Sequence, residues 1–256
     1  MHRPRKRFGQ HFLHDPGVID DIVGAIAPLS ADTVVEIGPG QGAITTPLAR
    51  LAGKLHLIEF DRDLAGDLRR QYRNDDRVTV HECDALRFDF AALGAGLRIV
   101  GNLPYNISTP LLFHLLDYRD AIQDMHFMLQ KEVVDRMAAE PGTRDFGRLT
   151  VMLGCALQVA HLFDVPPAAF SPPPKVTSAV VRLAPLPKGT YHVRDHAQLK
   201  KIVSQAFTQR RKTIRNALRQ DASEQQLLAA GIDPATRPET VSIHQWIELA
   251  NLLHSA

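Results

Sequence analysis

Short runs of β-branched and apolar residues alternate with longer amphipathic patterns along much of the chain. A run of roughly four to eight such residues predicts a buried strand, whereas apolar residues spaced three or four apart predict a helix. Strands that alternate with helices need crossover connections, which place the strands parallel in one sheet. The predicted strands are residues 33–38, 54–60, 77–81, 97–101 and 125–129, and the predicted helices are 44–51, 64–72, 109–116 and 131–139. This alternation predicts an α/β fold with a doubly wound sheet.

The sheet is expected to end in an antiparallel hairpin. Residues 157–163 and 176–183 both have strand patterns, and a proline-rich connection without helical periodicity joins them. Strands joined in this way are expected to be antiparallel neighbours. Residues 184–189, APLPKG, interrupt both periodicities, and the pattern after them is helical. We therefore expect a sheet domain over residues 1–185 and a small C-terminal α-helical domain over residues 186–256.

Composition places the chain among ordinary globular proteins. Its 256 residues are 45% hydrophobic, 6% aromatic and 23% charged, which argues against a disordered or membrane protein. No apolar run approaches the roughly 20 residues of a membrane helix, and the basic start lacks the apolar stretch of a secretory signal. We therefore expect a cytoplasmic protein. Cys83 and Cys155 lie far apart without a CxxC pattern, so neither a disulfide framework nor a zinc site is predicted.

The first predicted strand leads into its helix through a glycine-rich loop, EIGPGQGA at residues 36–43. Glycines at this junction let the backbone approach a ligand closely, and Glu59 ends the next strand where a carboxylate can accept from both ribose hydroxyls. The loop therefore favours an adenosine-containing ligand. Gly38 also begins a GxGxx(G/A) dinucleotide fingerprint, so a nicotinamide-dependent oxidoreductase stays open as an alternative. Pro39 argues against it, because proline removes an N–H from a pyrophosphate cradle, whereas S-adenosylmethionine carries no phosphate.

Asp84 follows the third predicted strand. This position lies at the carboxyl edge of the sheet, where ligands of open α/β folds bind. Its carboxylate can accept a hydrogen bond from the adenine amino group of the ligand. An isolated loop aspartate more often caps a turn, but the series Gly38, Glu59 and Asp84 favours binding.

The most informative tetrapeptide is Asn102-Leu103-Pro104-Tyr105, directly after the fourth predicted strand. An adenine amino group is a poor nucleophile because its lone pair is delocalised into the ring, so an alkylating enzyme needs acceptors for both N–H bonds. The Asn102 side-chain oxygen and the Pro104 carbonyl can supply them, and Tyr105 can lie against the base. A base held in this way has left its stack and needs a second apolar face. Phe170, which stands before a proline run, is the candidate for that face, with a core phenylalanine as the alternative.

No general base is predicted for this chemistry. The donor is a sulfonium, so attack discharges a positive leaving group, and the nitrogen becomes strongly acidic as it is alkylated. Positioning and in-line geometry can supply most of the rate.

Several segments together resemble the ribosomal RNA adenine dimethyltransferases. They are KRFGQHFL at 6–13, EIGPGQG at 36–42, NLPYNIS at 102–108, QKEV at 130–133 and FSPPPKVTS at 170–178. The likeness extends into residues 207–218, and few other families share all of these motifs. Phe146 stands where tyrosine is common in the family, which keeps an apolar ring.

This resemblance implies a seven-stranded, Rossmann-like class I methyltransferase sheet, with S-adenosyl-L-methionine as the methyl donor. It also implies dimethylation of two adjacent adenosines in the 3′-terminal hairpin of 16S rRNA, within an immature small ribosomal subunit, by a monomer without membrane association. The residues that the resemblance assigns to the cofactor are His11, Leu13, Gly38, Glu59, Asp84 and Asn102.

Residues 207–219 form a basic segment without an acidic residue. As one helix, the segment would place three arginines four residues apart on one face and its apolar residues toward the core. Such a row can follow RNA phosphates, although a solvated helix face is the usual explanation of basic clusters. The candidate RNA-binding residues are Arg210, Arg211, Lys212, Arg215 and Arg219.

Three alternatives to small-subunit RNA methylation remain at this point. A relative with the same loops would methylate large-subunit RNA and confer macrolide resistance. An oxidoreductase would use the glycine loop but lacks a recognisable proton donor in this sequence. A non-catalytic assembly factor would use the same surface to hold immature ribosomal subunits.

Overall fold

The computed structural model describes residues 11–104 and 107–254, and nine strands lie within them. The strands are β1 (Phe12–Leu13), β2 (Thr33–Ile37), β3 (Lys54–Glu59), β4 (Val78–Glu82), β5 (Leu97–Asn102), β6 (Ile122–Gln130), β7 (Leu157–Val165), β8 (Phe170–Ser171) and β9 (Ser178–Pro185). Seven of them form one sheet in the order β4-β3-β2-β5-β6-β9-β7, and the other two, β1 and β8, pair with each other.

The large sheet has the predicted parallel centre. Strands β4, β3, β2, β5 and β6 are parallel neighbours, and β9 runs antiparallel to β6. The two strands expected to form a terminal hairpin, β7 and β9, lie side by side at the edge of the sheet. The predicted seven-stranded α/β fold is confirmed.

Helices connect and flank these strands. Aspartates cap three of them: Asp15, Asp61 and Asp195 each accept from backbone N–H groups of the first turn, which satisfies donors that a helix leaves unpaired. The helices are α1 (Pro16–Ile26), α2 (Thr45–Leu51), α3 (Arg62–Gln71), α4 (Ser108–Leu116), α5 (Lys131–Met137), α6 (Arg148–Gly154), α7 (His196–Thr208), α8 (Ile214–Ala217), α9 (Glu224–Ala229) and α10 (Ile243–His254).

The prediction of one helix through the basic segment is wrong. Helix α7 ends at Thr208, and α8 holds only four residues. The Ile214 N–H donates to the Thr236 carbonyl at 2.7 Å, and the Arg215 N–H donates to the Pro234 carbonyl at 3.2 Å. These long-range bonds replace the helical i to i−4 bonds, so Arg211, Arg215 and Arg219 do not share a helix face.

The chain divides into two compact units. The first contains the described residues up to Val134 together with Ala160–Pro185, and holds the cavity described below. The second contains Asp135–Val159 and the described residues from Leu186 onward, and its core includes the fully buried Trp246. Within the part of the chain described here, no helix has the length and apolarity needed to cross a membrane.

Candidate active site

A cavity of about 440 Å³ opens at the carboxyl edge of the parallel strands. This volume lies within the range of small-molecule sites. The cavity brings together predicted residues from six separate segments of the chain. They are His11, Leu13, Gly38, Glu59, Asp84, Asn102, Pro104 and Phe170.

The glycine loop approaches the cavity in a conformation that other residues adopt with strain. Gly38 has φ of +68° and Gly40 has φ of +58°, both in the left-handed region. A Cβ on Gly40 would lie 3.4 Å from the Phe12 ring, so the loop is also packed closely against the β1 segment. At Gly38 and Gly40 the backbone therefore lines the cavity without a side chain of its own.

Glu59 lies at the end of β3 with its carboxylate held by backbone donors. The Gly40 N–H donates to Oε2 at 3.1 Å, and the Asp61 N–H donates to Oε1 at 2.8 Å. Burial raises the pKa of Glu59, and the backbone donors act in the opposite direction. Each carboxylate oxygen can accept a further hydrogen bond, so Glu59 can bind a pair of hydroxyls.

Asp84 both caps a turn and lines the cavity, which are the two roles that the sequence left open. Its Oδ1 accepts from the Leu86 N–H at 3.0 Å and caps a short 3₁₀ turn. The residue also lines the cavity, and its second oxygen makes no hydrogen bond with a residue that the structure describes. Turn capping therefore fixes the side chain beside the cavity and does not exclude ligand binding.

Asn102 lies at the rim of the cavity as the last residue of β5. Its Nδ2 donates to the His11 carbonyl at 3.3 Å, which orients the amide so that Oδ1 is the acceptor. The Pro104 carbonyl already accepts from the Ile107 N–H at 3.1 Å, but a carbonyl oxygen has two lone pairs. Tyr105, the third predicted residue of this loop, lies outside the described residues.

Strands β1 and β8 pair with each other, which places residues 12 and 13 beside Phe170, the residue predicted to cover one face of the base. Phe12 pairs with Ser171 and Leu13 pairs with Phe170. The His11 Nδ1 donates to the Pro172 carbonyl at 2.7 Å. Phe170 is only 3% exposed and belongs to the hydrophobic core while it also lines the cavity. Sequence reasoning missed this pairing because strands of two residues have no detectable periodicity.

The cavity wall is acidic. Its described lining includes no lysine or arginine but contains four carboxylates, Glu36, Glu59, Asp61 and Asp84. Glu36 had no predicted role of its own, yet it is 2% exposed and burial raises its pKa to about 7. An acid within an otherwise apolar strand was the signal that would have identified it, because ionisable side chains are rarely buried without a functional reason.

The basic segment lies in the second unit and is partly neutralised there. Arg210 donates to the Thr143 carbonyl at 3.2 Å and lies 3.7 Å from a Glu239 carboxylate oxygen. Arg215 lies 3.4 Å from Glu224. Acidic partners thus come from elsewhere in the chain. The cations without an ion pair to any described residue, all exposed, are Arg211, Lys212 and Arg219.

A sheet with a parallel centre, whose carboxyl edge carries a glycine loop, a strand-end carboxylate and the Asn102-Leu103-Pro104 segment around one cavity, defines a Rossmann-like class I methyltransferase. A family model for ribosomal RNA adenine dimethylases matches residues 1–255. The chain belongs to the ribosomal RNA adenine dimethylase family, which confirms the resemblance seen in the sequence.

Individual relatives agree with this family. Ribosomal RNA small subunit methyltransferase A of Aromatoleum aromaticum is 55% identical over 252 residues, which cover 98% of this chain and 95% of the relative. A dimethyladenosine transferase from Plasmodium falciparum has a similar crystal structure, with a TM-score of 0.82, 25% identity and coverage of 96% and 98% of the two chains. The 23S rRNA methyltransferase ErmE matches with a TM-score of 0.72, 26% identity and coverage of 95% and 99%.

Proposed function

We propose that this protein transfers methyl groups from S-adenosyl-L-methionine to the exocyclic amino groups of two adjacent adenosines in the 3′-terminal hairpin of 16S rRNA. The observation that carries the proposal is the Asn102 amide, which stands at the rim of the cavity with its nitrogen engaged by the His11 carbonyl. Family membership and the name of the 55% identical relative favour small-subunit RNA as the substrate.

The residues around the cavity fit this methyl donor. S-adenosylmethionine supplies an electrophilic methyl group on a cationic sulfonium. Glu59 has acceptor capacity for ribose hydroxyls, and Asp84 for an adenine amino group. His11, Leu13 and Gly38 complete the proposed cofactor contacts. An acidic wall without lysine or arginine among the described lining residues suits a cation better than the pyrophosphate of a nicotinamide cofactor.

The reacting base would be held by the Asn102 loop. Asn102 Oδ1 and the Pro104 carbonyl accept hydrogen bonds from the two N–H groups of the adenine amine. The lone pair of the amine nitrogen is then free to attack along the methyl–sulfur axis. Phe170 and Tyr105 cover the faces of the flipped base. The proton leaves the alkylated nitrogen to solvent, so no side chain is assigned as a general base.

Replacing Asn102 with alanine tests this assignment. We expect the rate of methyl transfer at saturating donor to fall by on the order of 10²-fold or more, because the amine loses a preorganised partner. Mass spectrometry of 16S rRNA in immature small subunits, incubated with protein and labelled donor, measures the rate. Asn74→Ala, a change at an exposed turn, is the control. An Asn102→Ala protein that transfers at the normal rate would remove the proposed role.

Large-subunit RNA is the second candidate substrate, because ErmE shares the fold over nearly the whole chain. Its identity of 26% is less than half that of the small-subunit relative. Incubating the protein with 16S and 23S rRNA in the same assay separates the two. Label that enters only 23S rRNA would overturn the small-subunit assignment.

We further propose that the RNA-binding region lies within residues 186–256. Its exposed cations at residues 211, 212 and 219 support contacts to phosphates, with Arg210 and Arg215 contributing from their ion pairs. The protein would act as a cytoplasmic monomer on an immature small subunit. Sedimentation with and without such subunits tests whether the protein is a monomer and whether it binds the immature subunit. A stable dimer in free solution would contradict the monomer.

A further inference from the structure

A loop next to the proposed base pocket exposes a valine and a lysine. Residues 172–177 form this proline loop, which follows Phe170 and leads into β9. Val176 is 44% exposed, Lys175 is exposed as well, and neither residue belongs to the cavity lining. Single exposed apolar residues are common on protein surfaces, so the position of this pair and its rigidity must carry any functional argument.

The proline loop is held in one conformation. Its three consecutive prolines fix the backbone φ angles, and Pro174 is buried. At one end the His11 Nδ1 donates to the Pro172 carbonyl at 2.7 Å. At the other end the Lys131 N–H donates to the Thr177 carbonyl at 3.0 Å. The loop therefore presents its two exposed side chains in a preorganised arrangement.

The ends of the loop place it beside both walls of the proposed base pocket. It starts two residues after Phe170, which lines the cavity. It ends against the residue that follows β6, and β6 also holds the opposite wall. There the Met128 carbonyl accepts from the Leu103 N–H at 3.2 Å, directly after Asn102. The loop thus lies at the carboxyl edge of the sheet, where the two walls meet.

RNA that delivers a base to this cavity needs a cation outside it. A flipped nucleotide keeps a phosphate on either side, and the described cavity lining contains no lysine or arginine. Phosphates are held mainly by lysine and arginine. Lys131 is close to the pocket but pairs with Asp164 at 3.1 Å. Lys175 forms no ion pair with any residue that the structure describes, so its charge is available.

We propose that Val176 and Lys175 form a subsite for the nucleotide adjacent to the target adenosine. Val176 packs against the base of that nucleotide, and Lys175 pairs with its phosphate. This inference rests on the proposed function, which names two adjacent adenosines. While one adenosine occupies the pocket, its neighbour lies on Val176, and the two exchange places between rounds of methylation. The subsite thus favours a pair of adenosines over an isolated one.

Changing the valine and the neighbouring base together tests the contact. Small subunits are reconstituted from 16S rRNA transcripts in which one adenosine of the pair, each in turn, is replaced by uridine. We expect kcat/KM of the wild type for the remaining adenosine to fall by about fivefold for at least one of the two transcripts, because uracil covers less of the valine than adenine does.

The Val176→Ser variant should lose about the same factor with the native pair, and uridine should then cost little more, because both changes remove one contact. A native rate for Val176→Ser, or losses that multiply with both transcripts, would overturn the subsite. Leu29→Ser is the matched control. Leu29 is 65% exposed in the loop between α1 and β2, so this variant should respond to uridine as the wild type does.

The phosphate contact has its own measurement. Lys175→Gln should lower the slope of log RNA affinity against log salt by about 0.7, the value for one contact to a single strand. Its affinity for S-adenosylmethionine should not change, which separates this contact from an effect on the cofactor site. Lys54→Gln, at an exposed lysine that begins β3, should keep the wild-type slope. Equal slopes for the two variants would contradict the role of Lys175.

The outcome is separable from that of the proposed function. If the wild-type protein methylates neither adenosine of 16S rRNA, the proposed function fails. If it methylates the native pair, but the protein and RNA changes act independently, only the subsite fails.

Discussion

Gly101 shows how one missing side chain sets the geometry of the site. A Cβ on this residue would lie 2.6 Å from the Ile37 carbonyl oxygen and 3.1 Å from a Leu103 methyl carbon. The next residue along each strand is a proposed ligand-contacting residue, Gly38 after β2 and Asn102 within β5. The absence of a side chain at Gly101 therefore sets the distance between the cofactor loop and the Asn102 loop.

Replacing Gly101 with alanine should separate these two loops. Overpacking costs about 1–3 kcal/mol of the free energy of unfolding, and we expect methyl transfer to fall by more than tenfold because Asn102 is displaced. Urea denaturation and single-turnover rates measure the two effects. Gly24→Ala is a matched control, since a Cβ there meets nothing within 4 Å and helix propensity should stabilise the protein by about 0.5–1 kcal/mol. Full activity of Gly101→Ala would contradict this account.

At the scale of elements, the boundaries of the strands follow from contiguous apolar residues. Five of the six residues of β5 are buried, as expected for a central parallel strand. The predicted helices that flank the first strands also form, with ends that differ by one or two residues. Local periodicity determines such elements because each of them buries one continuous set of apolar side chains.

In the basic segment, by contrast, local periodicity does not determine the structure. A distant loop accepts hydrogen bonds from its backbone N–H groups. The carbonyls of Pro234 and Thr236 accept hydrogen bonds from the N–H groups of Arg215 and Ile214, so these two residues do not continue α7, which ends at Thr208. The cations of the segment then form two groups. Some are paired with an acidic residue, and the others form no ion pair with any described residue. Only a tertiary contact separates the two groups, and local sequence contains no signal for it.

This division predicts which cations of the element bind RNA. Replacing Arg211 and Lys212 together with glutamine should weaken RNA binding and lower the slope of log affinity against log salt by about one per cation. Donor affinity should stay the same. The double change Arg62→Gln and Arg73→Gln, at exposed cations at the start of α3 and just after its end, is the control for net charge. Identical salt slopes for the two double variants would exclude a specific RNA-binding role for this turn.

Across the first unit, a buried arginine links the sheet to the helix that covers it. Arg98 makes two hydrogen bonds to the Asp124 carboxylate, at 2.9 and 3.0 Å, and one to Asp32 at 2.9 Å. It also donates to the carbonyls of Ile26 and Ala27 at the end of α1. All of these partners saturate the guanidinium, which is the condition under which a buried charge is tolerated.

His126 lies next to this network and makes the fold sensitive to acid. Burial lowers its pKa to about 4, Asp124 acts in the opposite direction, and Arg98 lowers it further. The unfolded chain takes up a proton near pH 6.5 and the folded protein does not, so stability should fall as the pH drops from about 6.5 toward 4. At pH 4.5 the contribution of His126 should be a loss of about 2–3 kcal/mol.

Urea denaturation of the wild type and of His126→Gln between pH 8 and 4.5 measures this loss as a difference between two curves. The variant should become relatively more stable as the pH decreases. His244→Gln, at a side chain that is 67% exposed, should follow the wild type throughout. Parallel curves for the wild type and His126→Gln would show that His126 does not titrate in this way.

The chain encodes its strands, its glycine loop and its Asn-Leu-Pro-Tyr loop in short contiguous patterns, and these were enough to predict the fold and a ligand cavity at the sheet edge. Hydrophobic periodicity is local, so it can be read without coordinates. Other features depend on residues that are far apart in sequence. They are the contacts of His11 with Asn102 and Pro172, the burial of Glu36 without a cationic partner among the described residues, and the end of α7 at Thr208. The tertiary structure determines these partners, because a polar group that is buried away from water needs a hydrogen-bond partner within the protein.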